Sequence, residues 1–219
     1  MLTVHHLNNS RSRRVLWLLE ELAVPYEIVT YERDPKTSLA PPELAKIHPL
    51  GKSPVVTDGG DTIAESAVIL EYIVDKYGGG RLVPPKGTPE YLKYRYFMHY
   101  AEGSLMPYLL LKLITGRIRK APALVRPIAK AIAAKIDGGF VGPNLARHIA
   151  FIASELASRP YVAGDELTVA DIQMSFPMEA LAARVPDAPA VIHQFVERIH
   201  ARPAFKKALE RGGPYDVMS

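Results

Sequence analysis

Residues 2–22 read LTVHHLNNSRSRRVLWLLEEL, and the spacing of the apolar side chains changes within this run. Residues 2–7 are typical of a short β-strand, which the three polar residues 8–10 interrupt. From 15 to 22 the apolar residues recur at helical spacing, and Pro25 follows as a helix-ending residue. The run therefore predicts a strand, a polar turn and a helix in that order.

The next segments extend this pattern into a mixed α/β unit. Residues 26–31 alternate as a second strand, and a helical turn is predicted near 43–47. Short apolar runs on both sides of the Gly-containing turn 58–61 predict a β-hairpin, and 66–77 have helical spacing. The order is β-α-β-α-β-β-α, in which the first two strands flank a helix and are expected to be parallel.

A stretch dense in Gly and Pro, residues 79–89, is the predicted linker between a first domain at 1–78 and a second at 90–219. No convincing strand occurs beyond it. Helix-period apolar residues recur instead in segments near 90–116, 122–136, 143–158, 169–183, 189–202 and 203–211. The predicted fold class is α/β followed by an all-α helical bundle.

Composition excludes several classes of protein. The 219 residues are 48% hydrophobic and 23% charged, which is ordinary for a globular chain. There is no cysteine, so disulfides, cysteine zinc sites and a cysteine nucleophile are excluded. The net charge of +4 is mild, and no apolar stretch approaches the roughly 20 residues that span a bilayer. We expect no metal, no nucleic acid and no membrane among its partners, and we see no secretory signal.

Four short motifs carry a resemblance to a known family. They are SRSRRVLWLLEEL at 10–22, HPLGKSP at 48–54, Glu65-Ser66, and TVAD at 168–171. Each motif alone is weak, but their order and spacing together are specific. The chain resembles the cytosolic glutathione transferase superfamily, and more closely the fungal and bacterial members whose first helix carries this sequence. The resemblance covers essentially the whole chain.

The resemblance implies a thioredoxin-like glutathione-binding domain, an all-helical domain for the second substrate, and a cytoplasmic homodimer. Glutathione would be the co-substrate, held as its thiolate and added to an electrophilic small molecule. Peroxidase and disulfide reductase activities use the same machinery, and the sequence does not separate them. The alternative is a non-catalytic binding or scaffold module, since a fold alone does not fix a function.

Ser10 is the candidate catalytic residue. A free thiol has a pKa of about 8.5, and a hydrogen bond to the thiolate lowers it. By resemblance, Ser10 matches the hydroxyl that bonds the glutathione sulfur in the serine-type classes. Two alternatives stay open: Ser10 is only the N-cap of the first helix, or the amide of Asn9 makes the bond. His6 falls where other classes carry a catalytic tyrosine, and we interpret it as structural.

The remaining site residues are predicted by their match to the glutathione-binding residues of the family. Lys52 would meet the glycyl carboxylate, or else is a plain surface lysine. Ser53 would pair through its backbone with the cysteinyl unit, before a cis peptide bond to Pro54; an ordinary trans proline is the alternative. Glu65 would face the ammonium group. Ser66, as the cap of the third helix, would hold the γ-glutamyl carboxylate.

Three arginines, Arg11, Arg13 and Arg14, crowd the first turn of the first helix, where the helix dipole disfavours cations. They indicate either a nearby anion, such as glutathione, or a solvated basic face. Thr168 and Asp171 fit a capping box, to which we assign no catalytic role.

The second-substrate pocket is harder to predict. Its candidates lie on one long helix and are Tyr96, Tyr100, Met106, Tyr108 and Leu109, although aromatic residues at this spacing are usually core. Glu102 is a candidate to reach glutathione in a partner subunit. From Gly103 to Ile136 there are seven Lys and Arg residues and no acid. Such a run attracts anionic electrophiles or is simply solvated.

Overall fold

The computed structural model describes residues 1–185, 187–213 and 215. Its amino-terminal part follows the predicted order of strands and helices. The bounds are β1 Leu2–Leu7, α1 Ser12–Leu22, β2 Tyr26–Tyr31, α2 Leu44–Ile47, β3 Val55–Asp58, β4 Asp61–Ala64 and α3 Ser66–Tyr77.

The described strands form a sheet in the order β2-β1-β3-β4. β1 and β2 are parallel, as predicted, with Leu2 opposite Tyr26, and β3 is antiparallel to both β1 and β4. His5 therefore lies opposite Val55, which in turn lies opposite Ala64. This register brings three chain segments to one edge of the sheet: the turn into α1, the residues before β3, and the start of α3.

The second part of the chain is helical. Its helices are α4 Pro89–Tyr100, α5 Met106–Ile118, α6 Arg126–Ile136, α7 Gly142–Leu156, α8 Val169–Arg184, α9 Ala190–Ala201 and α10 Pro203–Gly212. Two π-helical turns, Ala101–Leu105 and Asp137–Val141, join α4 to α5 and α6 to α7. The predicted α/β and all-α halves are both present.

One prediction about these helices is wrong. The sequence suggested a break between 136 and 143, but the chain continues as helix through the second π turn. Asp137 holds this turn against α5, because its carboxylate accepts a hydrogen bond from Thr115 Oγ1 at 2.7 Å. Lys112 and Arg119 contact the same carboxylate at 3.2 and 2.6 Å. The contacts of the Asp137 side chain with α5 thus stabilise the turn, which contains the extra residue of a π-helix.

α1 lies at the centre of the core and packs against α3, α8 and α10. Trp17 of α1 is fully buried and meets Phe205 edge-on, with ring centroids 5.3 Å apart. The indole N–H donates to Glu21 at 2.8 Å, and Arg202 pairs with the same carboxylate. The two halves of the chain are therefore joined through both apolar and ionic contacts of α1.

The capping box of α8 is confirmed. Asp171 is fully buried and accepts hydrogen bonds from the backbone N–H of Thr168 and of Val162, both at 2.8 Å. Burial raises the pKa of Asp171 to about 6 in spite of these bonds. None of the described helices is long and apolar enough to cross a bilayer.

Candidate functional site

A cavity of about 240 Å³ opens at the sheet edge where the three segments meet. It contains most of the predicted site residues. Its lining consists of Arg11, His48, Leu50, Lys52, Ser53, Pro54, Ala64, Glu65, Ser66 and Glu102. Of the predicted set, only Ser10 is absent from this lining.

The amino terminus of α3 forms one wall of the cavity. Ser66 is the first residue of this helix rather than its cap, so the predicted capping role is wrong by one position. Glu65 is the cap residue, with φ 70° and ψ 123°, because the chain turns sharply from β4 into α3. A positive φ is uncommon outside glycine and often marks a functional position. The first N–H groups of α3 are free of intrahelical partners and can receive a carboxylate.

The segment before β3 forms another part of the lining. The Ser53-Pro54 peptide bond is cis, as predicted. Ser53 Oγ donates to the backbone oxygen of His5 at 3.1 Å, which fixes the segment against β1. Lys52 is exposed at the rim of the cavity. The cavity thus has both a cation and a helix amino terminus in its lining.

Ser10 lies behind this wall, with only 4% of the residue exposed. Its Oγ is 2.7 Å from Ser12 Oγ and 3.4 Å from Ser53 Oγ. The same oxygen accepts the backbone N–H of Ser12 at 3.2 Å. This last bond gives partial support to the capping alternative, although Arg11 occupies the formal cap position.

The partners of His6 determine which way these hydroxyl groups point. Burial, with a contribution from Arg13, lowers the pKa of His6 to about 4, so the ring is neutral at pH 7. Its Nε2 must carry the proton, because its partner at 2.9 Å is the Gly212 carbonyl. Nδ1 then accepts from Ser12 Oγ at 2.8 Å. Both ring nitrogens of His6 thus bond to protein groups, which supports its structural interpretation. Because Ser12 donates to His6, the Ser10 proton points to Ser12 Oγ.

The three arginines at the start of α1 have separate environments. The solvated-face alternative is wrong for Arg13 and Arg14, whereas the predicted nearby anion is present for Arg11 and Arg14 as the carboxylate of Glu102. Arg13 and Arg14 are buried. Arg13 donates to the carbonyls of Ala208 and Gly213 at 2.9 and 2.8 Å, so its acceptors are protein groups. Arg11 alone of the three lines the cavity.

Glu102, in the first π turn, joins the cavity to the core. Its Oε1 accepts from Arg11 Nε at 2.9 Å and from Arg14 Nη1 at 2.7 Å. Burial opposes its ionisation, but Arg14 and Arg11 hold the pKa of Glu102 below its ordinary value. Glu102 therefore faces the cavity of its own chain as an ionised carboxylate.

Two further residues of the lining, His48 and Leu50, were not among the predicted site residues, although both belong to the HPLGKSP motif.

The second-substrate candidates do not form one group. Tyr108 lines a separate cavity of about 400 Å³ with Gly103, Ser104, Pro107, Leu111, Phe140 and His148. Tyr100 is buried and bonds to His148 Nδ1 at 2.5 Å. Tyr96 is exposed, contrary to the core interpretation of these aromatic residues. The described residues hold no cluster of three or more metal-ligating side chains.

Comparison with known proteins identifies the family. Residues 1–75 match the glutathione S-transferase N-terminal domain, and residues 141–203 match the glutathione S-transferase C-terminal domain. The chain is 41% identical to glutathione S-transferase 3 of Schizosaccharomyces pombe over 181 residues, covering 82% of this chain and 74% of the relative.

The chain belongs to the glutathione S-transferase family. It is also 30% identical to glutathione S-transferase 1 of Saccharomyces cerevisiae, with 96% of this chain and 95% of the relative covered. A glutathione S-transferase from Actinobacillus pleuropneumoniae superimposes with a TM-score of 0.83 at 29% identity, over 99% of this chain and 95% of that one. The thioredoxin-like first domain and helical second domain are those of the family. The chain is a glutathione transferase.

A structural neighbour shows the same fold with a ligand. A glutathione transferase homologue from Sulfitobacter, solved with bound glutathione, has a TM-score of 0.75 at 23% identity, over 97% of this chain and 98% of that one. Its ligand belongs to that protein, and at this identity the likeness establishes the fold.

Proposed function

We propose that this glutathione transferase binds glutathione in the 240 Å³ cavity, ionises its thiol and adds it to electrophilic small molecules. One observation carries the proposal. The amino terminus of α3, the backbone before β3 and the cationic side chains of Arg11 and Lys52 all line one cavity. Glutathione carries two carboxylates and an ammonium group, and each has a complementary group in this cavity, while the hydroxyl proposed for its thiol lies just behind the cavity wall.

The γ-glutamyl end would lie at the amino terminus of α3. Its carboxylate would accept hydrogen bonds from the free N–H groups of α3 and from the hydroxyl of Ser66. The side chain of Glu65 would face the ammonium group. The positive φ of Glu65 supports this placement, since it positions the helix terminus at the cavity. The opposite, glycyl carboxylate would meet Lys52.

The cysteinyl unit would lie along the segment that holds Ser53 and Pro54, with main-chain hydrogen bonds in the manner of an added strand. Its sulfur would then approach Ser10, whose Oγ is 3.4 Å from Ser53 Oγ. The Ser10 hydrogen would leave its 2.7 Å bond to Ser12 Oγ to donate to the thiolate, and a donor to the charged form lowers the thiol pKa. Asn9 is the other candidate donor.

The assembly and location follow the family. We propose a cytoplasmic homodimer, in which the first domain of one subunit meets the second domain of the other. Exposed apolar side chains on both domains, Val68 of α3 and Leu92 and Tyr96 of α4, support such a contact. The lack of cysteine is consistent with a reducing compartment.

Turnover of three substrate types tests the proposal. The purified chain should be retained on glutathione resin and should conjugate a generic chlorinated aromatic compound. Parallel assays with an organic peroxide and a small disulfide would show whether peroxidase or disulfide reductase activity accompanies conjugation. Retention without turnover of any of the three would contradict the catalytic proposal and favour the non-catalytic module.

A further inference from the structure

The hairpin formed by α5 and α6, residues 106–136, is unusually apolar on its surface. Among the described residues, eight of the fifteen exposed large apolar side chains lie between 110 and 140. They are Leu110, Ile114, Leu124, Val125, Ile128, Ile132, Ile136 and Phe140. A monomer rarely exposes so many apolar side chains in one region without a partner.

These side chains are organised along α6. Leu124, Ile128, Ile132 and Ile136 are four residues apart, so they form a stripe on one side of this helix. Leu124, just before α6, is 93% exposed, and Ile128 is 66% exposed. Apart from the π turn that follows it, α6 packs mainly against α5, through residues such as Ala133. The stripe is therefore at the outer edge of the helical domain.

The same hairpin is strongly basic. It carries seven Lys and Arg residues, and no acid occurs from 103 to 136. Two of the seven, Lys112 and Arg119, pair with Asp137. For the other five the described residues provide no carboxylate partner: Arg117, Lys120, Arg126, Lys130 and Lys135. Arg126 and Lys130 lie two residues from stripe positions and project from another side of α6.

We propose that this hairpin docks the protein on an anionic lipid membrane surface. An apolar stripe beside unpaired cations matches the two layers of such a surface, acyl chains and anionic headgroups. A second copy of this chain fits less well, because a symmetric contact would bring the same cations face to face. A nucleic acid would neutralise the cations but leave the apolar stripe in water.

The expectation that the protein has no membrane partner rested on the absence of a spanning segment. Docking on a surface needs none, because an amphipathic helix inserts only about 5–10 Å into the interface. The hairpin also lies apart from the 240 Å³ cavity, whose lining includes no residue between 103 and 136. Membrane docking and glutathione binding are thus separable by mutation.

Flotation of the full-length protein with vesicles tests the proposal. The vesicles would be phosphatidylcholine alone, or phosphatidylcholine with about 30% phosphatidylserine. We expect at least about tenfold stronger binding to the anionic vesicles, and loss of that binding in about 0.5 M salt, which screens surface charge. The Leu124→Ser/Ile128→Ser variant should bind at least about tenfold more weakly, because two inserted side chains are removed.

Matched variants exclude general effects. Leu39→Ser removes an exposed apolar side chain elsewhere and should leave vesicle binding unchanged. Lys120→Gln/Lys130→Gln should weaken binding, whereas Lys36→Gln/Lys86→Gln, with equally exposed lysines outside the hairpin, should not. Glutathione-resin retention of each variant reports that it is folded.

Two results would overturn the proposal. One is equal or absent binding to the two kinds of vesicle by the wild-type protein. The other is vesicle binding that neither hairpin variant weakens. If the wild-type protein does not bind vesicles and the Leu124→Ser/Ile128→Ser variant has a smaller mass by light scattering, the stripe is a contact between copies of this chain.

Discussion

Replacing Glu102 by Gln removes one negative charge and keeps the acceptor oxygen. In the wild-type protein, that oxygen bonds Arg11 at 2.9 Å and Arg14 at 2.7 Å. The Arg14 side chain is only 1% exposed, so the substitution leaves a buried cation without its counterion. Its other partner is Gln173, a neutral amide at 3.0 Å.

The size of the effect follows from burial. Removing one partner of a buried ion pair costs about 3–5 kcal/mol. The Glu102 side chain is 33% exposed, so water screens part of the interaction, and Gln retains the hydrogen bonds. We therefore expect Glu102→Gln to reduce the free energy of unfolding by about 2 kcal/mol at pH 7. Urea unfolding measures this difference.

The pH dependence gives a second, signed expectation. Although burial opposes it, Arg14 and Arg11 hold the pKa of Glu102 below that of the unfolded chain. Its contribution to stability is therefore complete above an unfolded pKa of about 4.3 and is lost as the pH falls through the lower folded value. The stability difference between wild type and Glu102→Gln should shrink in this acid range.

An exposed carboxylate provides the control. Glu27 of β2 is exposed, and Glu27→Gln should change the unfolding free energy by no more than about 0.5 kcal/mol. If Glu102→Gln were as mild as this control, or if its effect did not diminish in acid, the assigned role of Glu102 as the counterion of Arg14 would be refuted.

Three further substitutions probe the site and the fold. Ser10→Ala should raise the thiol pKa of bound glutathione and lower kcat/KM by about tenfold or more; an unchanged thiolate absorbance titration would clear Ser10. Ser66→Ala should weaken glutathione binding by about tenfold, because it removes a hydrogen bond to a charged group; an exposed Ser38→Ala control should bind normally, and calorimetry compares the two. Asp171→Asn should destabilise the protein by about 3 kcal/mol, because an amide NH₂ would face the N–H of Val162 or Thr168; thermal unfolding with near wild-type stability would contradict this reading of the capping box.

Local sequence patterns predicted the strands and helices of the first part well. The alternation in 26–31 and the hairpin turn at 58–61 specify structure through side-chain periodicity and turn chemistry, which act over a few residues. The continuous helix through Asp137 was missed because two glycines, Gly138 and Gly139, indicate a break. What holds the π turn is a contact with Thr115, 22 residues away, that no local pattern reveals.

The sequence predicted which residues belong to the site better than it predicted how they are arranged. The motifs named Lys52, Ser53, Glu65 and Ser66, and the fold brings all four to one cavity. The sequence could not show that Arg14 points into the core, because its partner Glu102 is 88 residues distant. The proposed roles of these residues, and the domain boundaries at 78 and 90, stay predictions.

Calorimetric titration with reduced glutathione tests the central claim most directly. The account predicts saturable heat from a single site per chain, with a Kd below about 1 mM, and a weaker Kd for both Ser66→Ala and Lys52→Ala. No heat of association at millimolar glutathione, or an affinity that neither variant changes, would contradict the assignment of this cavity as the glutathione site.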